Sequence, residues 1–168
     1  MRDNITLRNA NHGDLEAIIK IYREATEAME STGIYQWDHL YPNEEILRED
    51  VTKNEMFLGE IGNEIVSLVV LNHEYDSEYI YGNWQYTEDA FCVIHRLCVN
   101  PAHQGKGIGK RTLHIIEEYL RSKNYKAIRL DAFSNNSIAV KMYEKLGYKR
   151  VGKVNWPKGL FYLYEKLI

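Results

Sequence analysis

The sequence predicts an α/β fold: a single domain with a mixed, mostly antiparallel central sheet flanked by helices. Three observations predict it. Strand-like runs outnumber helical ones, the helical runs carry apolar stripes at a 3.6-residue period, and Gly62-Asn63 joins two strands by a hairpin-sized turn. The 168 residues suffice for one substantial core, with the domain expected over 5–168.

Residues 5–8 alternate apolar and polar and open the order as a strand. Asp14 stands where it can cap a helix carrying Leu15, Ile18, Ile19, Tyr22 and Ala25, and Gly33 can stop that helix. An aromatic loop over 34–42 follows, and Asn43 is placed to cap a second helix reaching Thr52. Residues 56–61 and 64–71 are the hairpin strands, and 72–90 form an acidic, tyrosine-rich connection. Residues 90–99 are the strongest strand candidate. A glycine-rich turn over 104–110 then opens a helix through Leu113, Ile116 and Leu120 to Lys123, with Asn124 at its end. A strand over 127–133, a helix over 137–146 stopped at Gly147, and strands over 148–154 and 160–166 complete the order β-α-α-β-β-β-α-β-α-β-β.

Composition excludes several classes. An apolar fraction of 45% with 12% aromatic residues argues against a disordered chain. No apolar run is long enough to span a bilayer, and the first residues lack the apolar core of a secretory signal. A cytoplasmic location and no membrane partner are therefore expected. Cys92, His95 and Cys98 have a metal-like spacing. On a strand, however, His95 points away from the face the two cysteines share, so no metal is expected.

Charge is unevenly spread. Residues 1–100 hold 7 Lys/Arg against 19 Asp/Glu, whereas 101–168 hold 14 against 5. That asymmetry suits an anionic ligand on the basic half and a cationic one on the acidic half. There is no recognised nucleic-acid motif and no dense arginine cluster, so no nucleic-acid partner is expected.

The basic half contains Gln104-Gly105-Lys106-Gly107-Ile108-Gly109-Lys110. Alternate glycines let the backbone turn tightly and aim successive N–H groups into one concavity at a helix start, which suits a phosphate. A triphosphate loop needs G-x4-G-K-[ST]; here the glycine spacing differs and Arg111 stands where the hydroxyl belongs. A dinucleotide fingerprint needs G-x-G-x-x-G early in the chain; here the third glycine is one residue too close and the loop is late. Gln104, Gly107 and Gly109 instead match a Gln/Arg-x-x-Gly-x-Gly/Ala pyrophosphate loop. His95-Arg96-Leu97-Cys98-Val99-Asn100-Pro101 precedes it. Asn136 lies seven residues before Tyr143, which opens Tyr143-Glu144-Lys145-Leu146-Gly147-Tyr148. In this loop, strand and distal helix, over about residues 90–152, the chain resembles the GCN5-related N-acetyltransferase (GNAT) family.

The resemblance implies acetyl-coenzyme A as co-substrate and an amine as acceptor. It implies that backbone N–H groups of Gln104, Gly105, Lys106, Gly107, Ile108, Gly109 and Lys110 hold the pyrophosphate, with Lys106, Lys110 or Arg111 neutralising charge. Leu97, Cys98 and Val99 would pair their backbone with the pantetheine arm where two strands splay. An N–H near Val99 would stabilise the oxyanion. Tyr143 matches the family's acid for the departing thiolate, and Asn136 would hydrogen-bond the cofactor, with helix capping as its competing role. His95 is the candidate general base, and Arg96 a structural contact.

The acceptor site would be framed by Tyr35, Trp37, His39 and Tyr41 and by the 72–90 segment. That segment carries Tyr75, Tyr79, Tyr81, Trp84 and Tyr86 beside Glu74, Asp76, Glu78, Glu88 and Asp89. Carboxylates and aromatic faces suit a cationic amine, and the competing role for these residues is a solvated loop covering the core edge. The alternative function is a non-catalytic acyl-coenzyme A sensor. A homodimer is compatible with the aromatic run over 156–164, which a core strand explains equally well.

Overall fold

The structure is a computed structural model that describes residues 4–168. It contains strands β1 (Thr6–Asn9), β2 (Met56–Ile61), β3 (Glu64–Asn72), β4 (Phe91–Val99), β5 (Ala127–Phe133), β6 (Lys149–Trp156) and β7 (Gly159–Leu167). Its helices are α1 (Leu15–Ser31), α2 (Glu44–Thr52), α3 (Ile108–Ser122) and α4 (Ser137–Lys145). The strand order is β1-β2-β3-β4-β5-β7-β6. The β1–β2, β2–β3, β5–β7 and β6–β7 pairs are antiparallel, and β4–β5 is parallel. This is the expected mixed, mostly antiparallel α/β fold. Three short 3-10 turns, at His12–Asp14, Ser77–Tyr81 and Pro101–His103, were not expected.

Cα packing divides the chain into two compact units. The first holds the residues up to Leu71 together with Arg96–Ile116. Its core packs one face of α1 and α2 (Leu15, Ile18, Ile21, Tyr22, Leu47, Val51) on Met56, Leu58, Leu68, Val70 and Cys98. Ile21 is buried, while Ile19 of the expected stripe is only partly covered. Asp14 occupies the expected position before α1 but makes no side-chain cap there. Its carboxylate is taken by Arg8 (2.9 and 3.0 Å) and by the Asn11 N–H (2.8 Å), because a guanidinium is a stronger partner than a single amide. Gly33 ends α1 at φ 81, and the Asn43 Oδ1 caps α2 by accepting from Ile46 N–H at 2.9 Å. A second cluster packs Ile108, the first residue of α3, against Ile5 and Val66. Thr112 donates to Ser67 Oγ at 2.8 Å, so the start of α3 is anchored on β3.

The second unit holds Asn72–His95 and Glu117–Ile168. Its core packs Tyr79 on Phe91, Val93, Ala127, Val154 and Leu163. The connection over 72–90 is therefore folded onto the sheet through Tyr79. Close approach requires glycine at 152: a Cβ there would lie 2.9 Å from the Tyr81 carbonyl oxygen. Asn83 N–H donates to the Val151 oxygen at 2.7 Å and fixes the same approach.

Candidate functional site

In the first unit the end of β4 runs into the glycine loop. Asn100 holds that junction. Its N–H donates to the Val66 oxygen (2.9 Å) and its Nδ2 to the Ile65 oxygen (2.8 Å), while its Oδ1 accepts from Ala102 N–H (3.1 Å). The loop then turns through Gly105 and Gly107 at φ 76 and 72, the left-handed region that glycine occupies without strain. A Cβ at either glycine would meet no heavy atom within 4 Å, so the backbone there borders open space. The first-turn N–H groups of α3 have no intrahelical acceptor, and the ladder begins with Arg111 N–H to the Gly107 oxygen at 3.2 Å. Gln104, Gly105, Lys106, Gly107 and Lys110 are exposed, while Ile108 and Gly109 are buried under them. This loop fits a phosphate-bearing group: unhindered backbone, helix-start donors and exposed lysines.

Upstream, Cys98 sits in the core and burial pushes its thiol up to about 12. The Val99 side chain packs against the cluster around Ile108. Both side chains are spent on packing, so what these residues can offer a ligand is backbone. Arg96 is at φ 50, a left-handed turn of a bulky residue that costs about 1–2 kcal/mol. Three contacts offset it. Tyr22 donates to the Arg96 oxygen at 2.6 Å, Arg96 Nη2 reaches both Asp50 oxygens at 2.6 Å, and Nη1 donates to the Tyr41 hydroxyl at 2.8 Å. Burial pushes the Asp50 carboxyl up while Arg96 pulls it back, with burial the larger effect. The sequence marks Arg96 as structural but misses Asp50, whose helical position carries no signal of its distant partner.

The aromatic loop divides. Trp37 is buried edge-on against Tyr22 (5.4 Å between centroids), whereas Tyr35, His39 and Tyr41 are exposed. A cavity of about 730 Å³ lies between α1, this loop and α2. Ile19, Tyr22 and Leu47 line it along with Glu27, Glu30, Asp38, Glu44 and Glu45. Of the residues singled out from sequence, only the acceptor-side His39 and the helix residues Ile19, Tyr22 and Asn43 reach it.

In the second unit the parallel β4–β5 ladder pairs Phe91 with Ala127, Cys92 with Ile128 and Val93 with Arg129, and then stops. Both strands continue, β4 to Val99 and β5 to Phe133. The pairing between them ends at Val93 and Arg129. His95 lies just past that point. Its Nε2 sits 2.9 Å from the Glu74 carbonyl oxygen and 2.8 Å from Asn72 Oδ1. A carbonyl oxygen only accepts, so Nε2 carries a hydrogen and donates. Asn136 caps α4, its Oδ1 accepting from Ala139 N–H at 3.2 Å. Tyr143 is buried between the rings of Tyr148 and Tyr164. Burial, aided by the Asp131 charge, raises its phenol above the usual tyrosine range, so it is protonated at neutral pH. Cys92 is buried, and its thiol donates weakly to the Asn72 oxygen. Asp131, which accepts from the Tyr79 hydroxyl at 2.8 Å, is the feature of this unit that sequence reasoning passed over; Tyr79, expected to frame the acceptor site or cover the core edge, is buried in the core. The one available signal was a lone carboxylate inside the apolar run of β5.

Among the described residues no helix is long and apolar enough to cross a membrane. N-alpha-acetyltransferase RimI of Mycobacterium tuberculosis is 34% identical over 59 residues, 35% of this chain and 35% of its own length. This chain thus spans about a third of that relative. The crystal structure of a GNAT-family acetyltransferase from Streptococcus agalactiae superposes with a TM-score of 0.85 at 21% identity, over 98% of this chain and 95% of that one. The PaiA N-acetyltransferase of Thermoplasma acidophilum, solved with coenzyme A, gives 0.72 at 19% identity, over 98% and 99%. Those two likenesses speak for the fold. The Acetyltransferase (GNAT) family matches residues 15–148, from the start of α1 to the end of the α4 turn, and the chain belongs to that family.

Proposed function

We propose that residues 5–168 act as one acetyl-coenzyme A-dependent N-acetyltransferase domain whose acceptor is a cationic amine. The observation that carries the reading is the end of the β4–β5 pairing at Val93 and Arg129, while both strands continue. Two neighbouring strands that stop pairing leave backbone donors and acceptors for an extended, amide-bearing ligand, which is what a pantetheine arm presents. Leu97, Cys98 and Val99 offer that backbone, and the loop from Gln104 through Lys110 offers N–H groups to the pyrophosphate. Asn136 serves first as the α4 cap.

Acetyl-coenzyme A supplies an activated acetyl thioester. The chain's own groups bind it, hold the amine and move protons. A backbone N–H near Val99 stabilises the oxyanion formed when the amine attacks. Tyr143 donates its phenolic proton as the thiolate leaves. Exposed Tyr35, Tyr41, Tyr75 and Tyr81 and the carboxylates around them favour a positively charged acceptor. The RimI relative favours a peptide N-terminal amine within that class. A cytoplasmic location and a homodimer complete the proposal.

Thiol release from acetyl-coenzyme A, measured with polyamines, amino acids and peptides, tests it. Amine-dependent release is expected for at least one acceptor. Coenzyme A binding with no release across the panel would move the chain to the sensor alternative.

A further inference from the structure

The 72–90 connection sends its large side chains in two directions. In the 3-10 turn Ser77–Tyr81, Tyr79 is buried, yet the two residues after it face outward: Ile80 is 81% exposed and Tyr81 70%. Tyr75 is 51% exposed and stacks on Tyr79 at 5.6 Å, so its ring carries the buried cluster out to the surface. Between these side chains stand Asp76 and Glu78, and residues 72–90 include no lysine or arginine. Glu78 accepts from Ser77 Oγ at 3.0 Å. Among the described residues no ion pair involves Asp76, Glu78, Glu88 or Asp89. The arginines of the neighbouring strands are engaged elsewhere, Arg150 with Glu144 at 2.7 Å and Arg129 with the Tyr86 oxygen at 2.7 Å.

A solvated loop accounts for the carboxylates but not for an exposed Ile-Tyr pair on a backbone held this firmly. Trp84 Nε1 and Gly82 N–H both donate to the Tyr79 oxygen, at 2.7 and 3.0 Å. The Gln85 and Tyr86 N–H groups donate to the Glu165 carboxylate at 2.8 and 3.3 Å. The Arg129 guanidinium lies over Phe91 (3.8 Å) and Trp84 (4.4 Å) and clamps the same stretch. Ile80 and Tyr81 therefore stand on a fixed platform. A platform ordered in advance loses little conformational freedom when it binds, and adjacent apolar side chains bordered by carboxylates are the makings of an interface.

We propose that the surface over 75–81 docks a protein acceptor, holding a lysine- or arginine-bearing segment that follows the reacting N-terminal amine. This rests on the acetyltransferase reading above and names the acceptor class within it. The carboxylates of Asp76 and Glu78 draw in the cationic side chains, and Ile80, Tyr81 and Tyr75 pack against the apolar parts of the same segment.

Tyr79 sets the length of that segment. Its hydroxyl donates to Asp131 Oδ2 at 2.8 Å, two residues past Arg129, where the β4–β5 pairing ends. Its backbone lies in the turn that presents Ile80 and Tyr81. One tyrosine side chain therefore connects the end of the pairing to the surface, a span of about 10 Å with its hydrogen bond, which about three extended residues cover. An acceptor whose amine reacts beside the end of the pairing reaches the surface from about its fourth residue onward. A polyamine matches the charges but has no side chains to set on Ile80 and Tyr81. A peptide supplies both.

The test measures acetyl transfer to spermidine and to two alanine-led peptides that differ only in carrying lysine or glutamine from the fourth residue on. The lysine peptide should have a kcat/KM about tenfold or more above the glutamine peptide, carried by KM and shrinking as salt rises. The double variant Asp76→Asn/Glu78→Gln should reduce that preference to about threefold or less. Ile80→Asn should lower kcat/KM for both peptides, by about fivefold. Equal kcat/KM for the two peptides in wild type overturns the docking surface and leaves the acetyltransferase reading standing; so does a preference that survives the double variant, or transfer to spermidine and to neither peptide. No transfer to any of the three overturns the acetyltransferase reading. Fluorescence anisotropy of the labelled lysine peptide then judges the surface by itself: binding that the double variant weakens supports it, and no binding, or binding equal in the double variant, overturns it.

Discussion

Asp50 and Asp131 are both acids drawn out of water, and the chain treats them in opposite ways. Asp50 faces a guanidinium that reaches both of its oxygens at 2.6 Å. Asp131 is given one phenol at 2.8 Å. The first arrangement is complete without a ligand and spends its charge on shape, holding Arg96 in a left-handed turn. The second is incomplete, because its negative charge has no counterpart in its own unit. A buried charge with a partner is structure; a buried charge lacking one is available for chemistry.

The largest expected effect breaks the first arrangement. Asp50→Ala leaves the Arg96 guanidinium buried without a counter-charge and should cost about 3–5 kcal/mol of unfolding free energy in urea titration. A loss below about 1 kcal/mol would mean that water reaches Arg96 and that the two regions are not different in kind.

Asp131→Asn should do the reverse. The folded carboxyl is raised to about 6 from an unfolded value near 3.8, so its ionisation disfavours the fold. The penalty is absent below the unfolded value and complete above about pH 6. Asp131→Asn should therefore be more stable than wild type by up to about 3 kcal/mol at neutral and alkaline pH, with no gain near pH 3. Equal stability at all pH values would show that the Asp131 carboxylate carries no such burial penalty.

Tyr79→Phe removes the hydrogen bond that favours the Asp131 carboxylate. It should cost about 1.5–3 kcal/mol above pH 6 and move the Asp131 titration to higher pH, since that bond holds the carboxyl down. The smallest effect belongs to Tyr41→Phe. Its hydroxyl meets Arg96 at the surface, and its loss should cost less than about 1 kcal/mol and, because the ring remains to face the acceptor, leave turnover with saturating acceptor and acetyl-coenzyme A unchanged. A large Tyr41 effect would show that the Arg96 region reaches the chemistry.

Much of this molecule is legible one segment at a time. The element order, the β2–β3 hairpin, the stop at Gly33 and the turn at Gly147 follow from periodicity and from glycine's access to positive φ. The glycine loop is legible for the same reason, since a backbone cradle is written in consecutive residues. The side chains whose setting depends on distant segments are less so. Tyr143 is visible only through its resemblance to a family motif. Asp131 is invisible until Tyr79, 52 residues away, is folded onto it. Even Asp14, in the right place for a cap, is diverted by Arg8 from a neighbouring strand.

The sequence by itself determined where the chain turns, which segments are helix or strand, and that a phosphate-bearing ligand has a loop to bind. Those are short-range matters of φ, hydrogen bonds within a few residues and apolar spacing. Only the tertiary structure decided which buried charges are paired. Asp50 meets Arg96 across 46 residues, and β4 and β5 pair for three residues only. Burial sets the energy of a charge through everything that surrounds it, and those surroundings come from segments far apart in the chain.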